Sequence, residues 1–392
     1  MGEKVAREKF IRISRRTDIK LWQRIVIVVS SVLIAFLLCG LISNIASPGS
    51  FAKYYEYVFK GTFSTPRIFM TLLWNTAIML LVAVALAPVF KMRFWNIGAE
   101  GQCLMGALGA IVGLLFIAPH IPTFLAIIIE FILAVTFAAI WGAIPAIFKA
   151  FFNTNETLFT LMMNYIATGI VASFIIFNQT KGKSGTIDPL NSATHAGWLP
   201  YIEYFNNSYI INIIIIAIVA LVIWAYLRFS KHGYELSVVG GSQNTARYVG
   251  INVKSVIIRT AVLSGIVCGI VGFLLCAGGS HTITTTIVSG RGFTAILVCW
   301  AGNFSVPLML LYSFLITFIS SGSSTASSAL PYSAAISEVA TAVFFIVVIA
   351  STFFVNFRVH IPLLRKPIGK LKELFNKIKS LFKKDKKEEG AQ

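Results

Sequence analysis

The chain has 392 residues, of which 57% are hydrophobic and 12% charged, and its mean hydropathy is +0.80. This composition excludes a soluble globular fold, because the apolar surface exceeds what one core can bury. The net charge of +18 is concentrated at the ends, with eight Lys and Arg between Lys4 and Arg24 and eleven between Arg358 and Lys387. Nucleic-acid binders gather basic residues on one folded surface, so these flanking segments indicate membrane orientation and no nucleic-acid partner.

Apolar stretches recur along the chain. A helix needs about 20 apolar residues to cross the hydrocarbon core, because its backbone polar groups must be satisfied within the segment. The candidate spans are 25–45, 68–90, 97–117, 122–148, 157–178, 209–229, 255–278, 291–302, 305–322 and 333–356. The eighth is too short for a full crossing and is either a tilted half-helix or a re-entrant segment. The sequence predicts an all-α polytopic membrane protein with about ten transmembrane helices.

Short basic loops predict the orientation. Lys91, Arg93 and Lys149 lie between spans, as does a basic cluster within 228–259. Placing these loops inside puts both termini in the cytoplasm. Three regions follow: a basic arm (1–24), a transmembrane domain (25–356) and a basic tail (357–392). From Ile368 the apolar residues recur at offsets of three and four, which predicts an amphipathic helix on the membrane lipid surface or, alternatively, a disordered tail.

Three segments are predicted on the outer side: 46–67, the turn at 119–122, and the polar stretch 178–208. The last is rich in Gly, Ser and Asn. It is either a surface on which a soluble partner docks or a connector.

The segment 231–254 is the most informative part of the cytoplasmic side. Connections between antiparallel helices usually take about 2 to 8 residues, and this one is far longer. Ser242 or Asn244 can cap a short helix running from Ala246 to Val249, and Gly250 can end it in the left-handed conformation. We interpret the segment as a docking element, with an ordinary long loop as the alternative.

Three stretches carry a family resemblance: 95–102 with 105–110, 141–145 leading into 155–167, and the docking segment. Together they resemble the membrane subunit of bacterial ABC importers of the ribose and branched-chain amino acid class, most closely the nucleoside-type permeases. The likeness runs from about residue 70 to 355. Thr157, where the family often has a β-branched apolar residue, and the Ser-rich segment 320–328 depart from the family pattern.

The resemblance implies a pore subunit in the bacterial cell membrane that takes up nucleosides by alternating access. It also implies cytoplasmic ATPase subunits, an extracytoplasmic substrate-binding lipoprotein, and a second permease subunit that is a paralogue or an identical chain. The residues implied in ATPase coupling are Gly240, Asn244, Thr245, Ala246, Tyr248, Gly250 and Ile251. A permease for simple sugars or branched-chain amino acids, and an ion-coupled secondary transporter, remain alternatives.

Polar residues near spans are candidates for the substrate path. Asn96, Glu100 and Gln102 stand where a span begins, and a carboxylate in lipid is costly, so Glu100 should face protein or water. Asn164 and Tyr165 lie in the middle of a span, where an amide facing lipid would stay unpaired. Each of these positions also has an alternative role in packing helices together.

Two further carboxylates, Glu130 and Glu338, are candidates for buried groups within spans. Enzyme signals are missing: the spacing before 182–184 does not make a phosphate-binding loop, and 290–295 imitates a dinucleotide fingerprint without a preceding strand. The five His residues are isolated, and the five Cys residues lie singly in apolar stretches. The sequence therefore predicts no catalytic site, no cofactor and no metal.

Overall fold

The computed structural model describes residues 12–16, 19–180, 182, 185–200 and 209–360. In chain order its helices are α1 (Leu21–Ala46), α2 (Phe51–Phe63), α3 (Pro66–Lys91), α4 (Ala99–Phe116), α5 (Thr123–Phe152), α6 (Glu156–Phe177), α7 (Ile210–Phe229), α8 (Lys231–Gly241), α9 (Gln243–Tyr248), α10 (Val253–Leu275), α11 (Arg291–Ala301), α12 (Val306–Ala329) and α13 (Ala334–Asn356). A 3-10 turn (Ala118–His120) follows α4, and a π-helical turn (Cys276–Ser280) ends α10.

Nine helices in the described ranges are long and apolar enough to cross a membrane, and α11 is a shorter apolar helix of 11 residues. The predicted all-α polytopic class is confirmed, and the eighth predicted span is indeed the short one. The cytoplasmic position of the termini stays a prediction.

Helix α2 was not expected from the sequence, which placed 46–67 in an outer loop. It is amphipathic and buries Tyr54 and Val58. The hydroxyl groups of Tyr54 and Ser323 lie 2.7 Å apart in a hydrogen bond, and Val58 packs against Gly322. The Ser-rich segment 320–328 is therefore helical and forms the surface on which α2 packs, because small residues let two backbones approach closely.

The central bundle consists of α3, α4, α5 and α10. Glycines on α10 bring its backbone against its neighbours: a Cβ at Gly269 would lie 2.7 Å from the carbonyl oxygen of Ala134 on α5, and a Cβ at Gly106 on α4 would lie 2.7 Å from the Cα of Gly269. These approaches are possible only without side chains, so this bundle is closely packed. It supports the site described below.

The chain divides into two compact units, Met1–Phe36 with Ile346–Gln392, and Leu37–Phe345. In the first, strands β1 (Arg12–Arg15) and β2 (Phe357–His360) pair antiparallel. This strand pair was not predicted. The amphipathic helix predicted from Ile368 lies outside the described residues, and the boundaries of the three predicted regions stay predictions.

Candidate functional site

The side chain of Asn164 joins α6 to the segment that enters α4. Its Nδ2 donates to the carbonyl oxygen of Ile97 at 3.0 Å, and its Oδ1 accepts from the backbone N–H of Gly101 at 2.9 Å. One turn earlier, Thr160 Oγ1 accepts from the N–H of Ile97 at 3.1 Å. Both polar ends of the Asn164 amide are thus satisfied inside the protein, as apolar surroundings require.

Asn96 and Gln102 are almost completely buried beside this contact, with exposed fractions of 1% and 2%. Asn96 Oδ1 accepts from the N–H of Gly98 at 2.9 Å, and its Nδ2 donates to Gln102 Oε1 at 3.5 Å. Gly98 is the N-cap of α4 and has no side chain of its own to satisfy the helix start. Asn96 therefore stabilises the non-helical segment that connects α3 to α4.

Glu100 lies in the first turn of α4 and holds the start of α11. Its Oε1 accepts from the backbone N–H of Gly290 at 2.8 Å, and its Oε2 accepts from that of Gly292 at 2.6 Å. A helix start leaves N–H groups unpaired and carries partial positive charge, so a carboxylate there is doubly favourable. A Cβ at Gly292 would lie 2.7 Å from the Glu100 Cα, so this close approach requires glycine. Glu100 faces protein rather than lipid.

The next residue of α11 extends the connection to a third helix. Arg291 Nη2 donates to Asn75 Oδ1 on α3 at 2.9 Å. The sequence did not identify Arg291 or Asn75 as site residues, because the glycines beside Arg291 were interpreted only as a chance match to a dinucleotide-binding motif. The available signal was the cation itself, since an arginine entering an apolar segment needs a polar partner.

Tyr165 does not join this cluster. It is 69% exposed on α6, and its neighbours Met162 and Ile166 are 54% and 52% exposed. The structure thus brings Asn96, Glu100, Gln102 and Asn164 together around the start of α4 and leaves Tyr165 on another face. A role in the substrate path stays a prediction for all five.

The docking segment folds into two helices, α8 and α9. Ser242 is the N-cap of α9, and its Oγ accepts from the N–H of Thr245 at 3.3 Å. Gly250 follows with φ +81°, and the N–H of Ile251 donates to the carbonyl oxygen of Ala246 at 2.9 Å. The predicted short capped helix and its glycine end are confirmed, although the helix begins at Gln243, and α8 was not predicted.

Helix α9 presents most of its surface outward. Ala246 is fully buried, whereas Tyr248 is 92% and Val249 63% exposed. Asn244, Thr245 and Gly250 are also exposed, and Ile251 is half-buried. Tyr248 and Val249 are adjacent in sequence and form a small exposed apolar surface at the end of α9.

Helix α8 fixes this surface to the bundle. Gly240 packs directly against the Lys91 carbonyl at the end of α3, where no side chain would fit. Glu235 forms an ion pair with Arg259 of α10, and the hydrogen bond from Arg259 lowers the pKa of Glu235. Glu235 is therefore ionised at neutral pH, and α8 is tied to both α3 and α10.

The described part of the polar stretch 178–208 packs against the C-terminal ends of α4 and α10. The N–H of Leu199 donates to the carbonyl oxygen of Ala277 at 3.1 Å. The Trp198 ring stacks between the rings of His195 and His281, with centroid distances of 4.4 and 3.6 Å. Its use as a docking surface stays a prediction.

This stacking predicts a pH dependence. Burial, with a contribution from His195, lowers the pKa of His281 to about 4, while the pKa of an unfolded His is about 6.5. The folded segment therefore binds fewer protons, so its stability is complete above about pH 6.5 and falls as the pH drops toward 4. We expect faster amide exchange in 186–200 at pH 5 than at pH 7, after correction for intrinsic rates.

A substitution of His281 tests the cause of that dependence. His281→Gln should remove the difference between the two pH values, whereas His120→Gln, at an exposed histidine, should leave it. Equal protection at both pH values in the unsubstituted protein would contradict the prediction.

The two further carboxylates differ. Glu130 is fully buried in α5, and neither of its oxygens accepts a hydrogen bond from the residues that the structure describes. Glu338 is exposed on α13, so its prediction as a buried carboxylate is wrong. The sequence shows that a charged residue lies in an apolar helix, but it does not show whether that residue is on the buried or the exposed face.

Within the described ranges, no three His, Cys, Asp or Glu side chains gather as a metal site requires. All five cysteines are free and buried, as expected for small core residues.

Comparisons with known proteins show that the chain is similar to membrane permeases. A model of the family described as "Branched-chain amino acid transport system / permease component" matches residues 68–352. The guanosine ABC transporter permease protein NupP of Bacillus subtilis is 29% identical over 283 residues, covering 70% of this chain and 79% of its own. The nucleoside ABC transporter permease protein NupB of Lactococcus lactis is 29% identical, covering 67% and 73%. The glucose ABC transporter permease protein TsgB13 of Haloferax volcanii is 26% identical, covering 78% and 82%.

Proposed function

The chain belongs to the family of branched-chain amino acid transport system permease components, and from this we propose that it forms the membrane path of an ATP-driven importer for nucleosides. As a member of that family it is a multi-pass protein of the cell membrane and the transport component of an ABC system. Two similar permeases, from Bacillus and Lactococcus, carry guanosine and nucleoside in their names, which supports the solute class.

The contact between Glu100 and α11 carries the proposal for the path. Non-helical backbone within a membrane is tolerated where it is buried in protein or lines a cavity, and solute sites often use such broken helices. The break between α3 and α4 and the short helix α11 meet at Glu100. We assign Asn96, Gln102 and Asn164 to holding this junction in place, so that they position the wall of the path.

The exposed end of α9 carries the proposal for energy coupling. Tyr248 and Val249 project from a helix that is capped at both ends and tied to the bundle through α8. Aromatic side chains in such positions serve as anchors in protein interfaces. The partner we propose there is a cytoplasmic ATPase subunit, with Asn244, Thr245 and Gly250 at the margin of the contact. A substrate-binding lipoprotein outside and a second permease subunit complete the proposed assembly.

Uptake of a labelled nucleoside by cells with and without the chain tests this function. We expect saturable uptake only in cells that contain the chain. Unlabelled guanosine should inhibit this uptake by competition, whereas glucose and leucine should not. Uptake should stop when ATP is depleted while the proton gradient is kept.

The same experiment separates the rivals. Competition by glucose alone would move the proposal to sugars, which the Haloferax relative favours. Uptake that persists without ATP would favour an ion-coupled transporter, for which Glu130, a buried carboxylate without a hydrogen-bond partner in the described residues, is the candidate.

A further inference from the structure

A groove of about 840 Å³ opens beside α8, away from the junction at Glu100. Helices α5, α7, α8 and α10 contribute its walls. Its lining residues are Phe151, Tyr226, His232, Asn252, Lys254, Ser255, Ile258, Arg259, Val262, Leu263 and Ile266. Nothing in the proposed transport cycle uses it.

One end of the groove is basic. Lys254 and Arg259 lie in the first two turns of α10, with His232 of α8 beside them. The carboxylate of Glu235 pairs with Arg259, whereas Lys254 makes no ion pair within the described residues and packs its Nζ 4.7 Å from the centre of the Phe151 ring. The Arg259 Nε is shielded from solvent and has no hydrogen-bond partner among the residues that the structure describes. This end therefore carries the positive charge of Lys254, unpaired among those residues, beside the Glu235–Arg259 ion pair.

The other end of the groove is apolar. Ile258, Val262 and Ile266 recur at offsets of four and form one stripe along α10. They are half-buried, whereas most other residues of α10 from Val256 onward are buried. Lys254 and Ile266 are separated by about 18 Å along the helix axis at 1.5 Å per residue. That length corresponds to about half the hydrocarbon thickness of a bilayer.

We propose that this groove binds one phospholipid with an anionic head group. The head-group phosphate lies at Lys254 and Arg259, and an acyl chain follows the stripe through Val262 to Ile266. Basic pockets between membrane helices recognise anionic head groups in this way. A neutral lipid would not need the basic end, and a soluble subunit would not follow an apolar stripe into a membrane span, so the two ends together select this occupant.

Native mass spectrometry of the full chain in a neutral detergent tests the proposal. The probes are phosphatidylglycerol and phosphatidylcholine with identical acyl chains. We expect phosphatidylglycerol to be retained at one site, and Lys254→Gln to reduce that retention about fivefold, since one basic residue near an anionic lipid contributes about that factor. Phosphatidylcholine retention should stay unchanged in that variant.

Two further variants separate the parts of the groove. Val262→Trp fills the apolar stripe and should reduce retention of both lipids. Arg93→Gln, which removes an exposed charge that does not line the groove, should change neither. Because Lys254 is exposed, its variant remains decisive even where Val262→Trp fails to fold.

Three results would overturn the proposal. The first is equal retention of the two lipids in the unsubstituted protein. The second is displacement of phosphatidylglycerol by inorganic phosphate, which would identify a site for free anions. The third is unchanged lipid retention in Lys254→Gln together with reduced recovery of ATPase subunits, which would identify a protein contact.

Discussion

Replacing both Tyr248 and Val249 by serine is expected to reduce ATP-driven uptake about thirtyfold while the chain still inserts at normal levels. These side chains are exposed, so their loss costs the fold little. An aromatic anchor in an interface is worth about 2 kcal/mol, which corresponds to about thirtyfold in affinity. The measurement is initial uptake of labelled nucleoside per amount of chain in the membrane, with recovery of ATPase subunits on purification.

Tyr234→Ser provides the matched control. Tyr234 is 68% exposed on α8 and belongs to the same connection between α7 and α10. If α9 alone forms the contact, this variant should transport and recover ATPase subunits normally. Undiminished uptake in the Tyr248 and Val249 variant would contradict the coupling role of α9.

The second large effect is expected from Glu100→Gln. A glutamine can accept from only one of the two N–H groups, of Gly290 and Gly292, that the carboxylate now satisfies. The other N–H is left without a partner, which costs about 1–3 kcal/mol, and the favourable charge at the start of α11 is lost. We expect the thermal unfolding midpoint of the purified chain to fall by several degrees. If transport requires α11 in this position, the same cost also disfavours the transporting state, and about 1.4 kcal/mol corresponds to a tenfold fall in uptake.

Glu56→Gln is the control for charge removal. Glu56 pairs with Lys60 at 2.6 Å on the exposed face of α2, and such surface pairs contribute little. That variant should keep both its unfolding midpoint and its uptake. An unchanged midpoint in Glu100→Gln would contradict the anchoring of α11, whereas a lowered midpoint with full uptake would leave Glu100 as a structural residue outside the path.

Local features of the sequence determined most of the helices. The ten predicted spans correspond to observed helices, because a segment that crosses lipid must be apolar and must satisfy its own backbone hydrogen bonds. The caps of α9 were also predictable from the sequence, because Ser242 and Gly250 act on backbone groups within a few residues. Helix α2 was not predicted from the sequence, because the apolar face of this amphipathic helix is buried only by packing against α12.

Only the tertiary structure decided which polar groups meet. Glu100 and Gly290 are 190 positions apart, and Asn164 and Ile97 are 67 positions apart, so neither contact leaves a local signal. The faces of Tyr165 and Glu338 likewise depended on how each helix is rotated against its neighbours. By itself the sequence determined the membrane class, the spans and the short capped helix α9, because these follow from short-range hydrophobicity and capping. The anchoring of α11 by Glu100 arises from helix packing, which joins residues that the sequence keeps far apart.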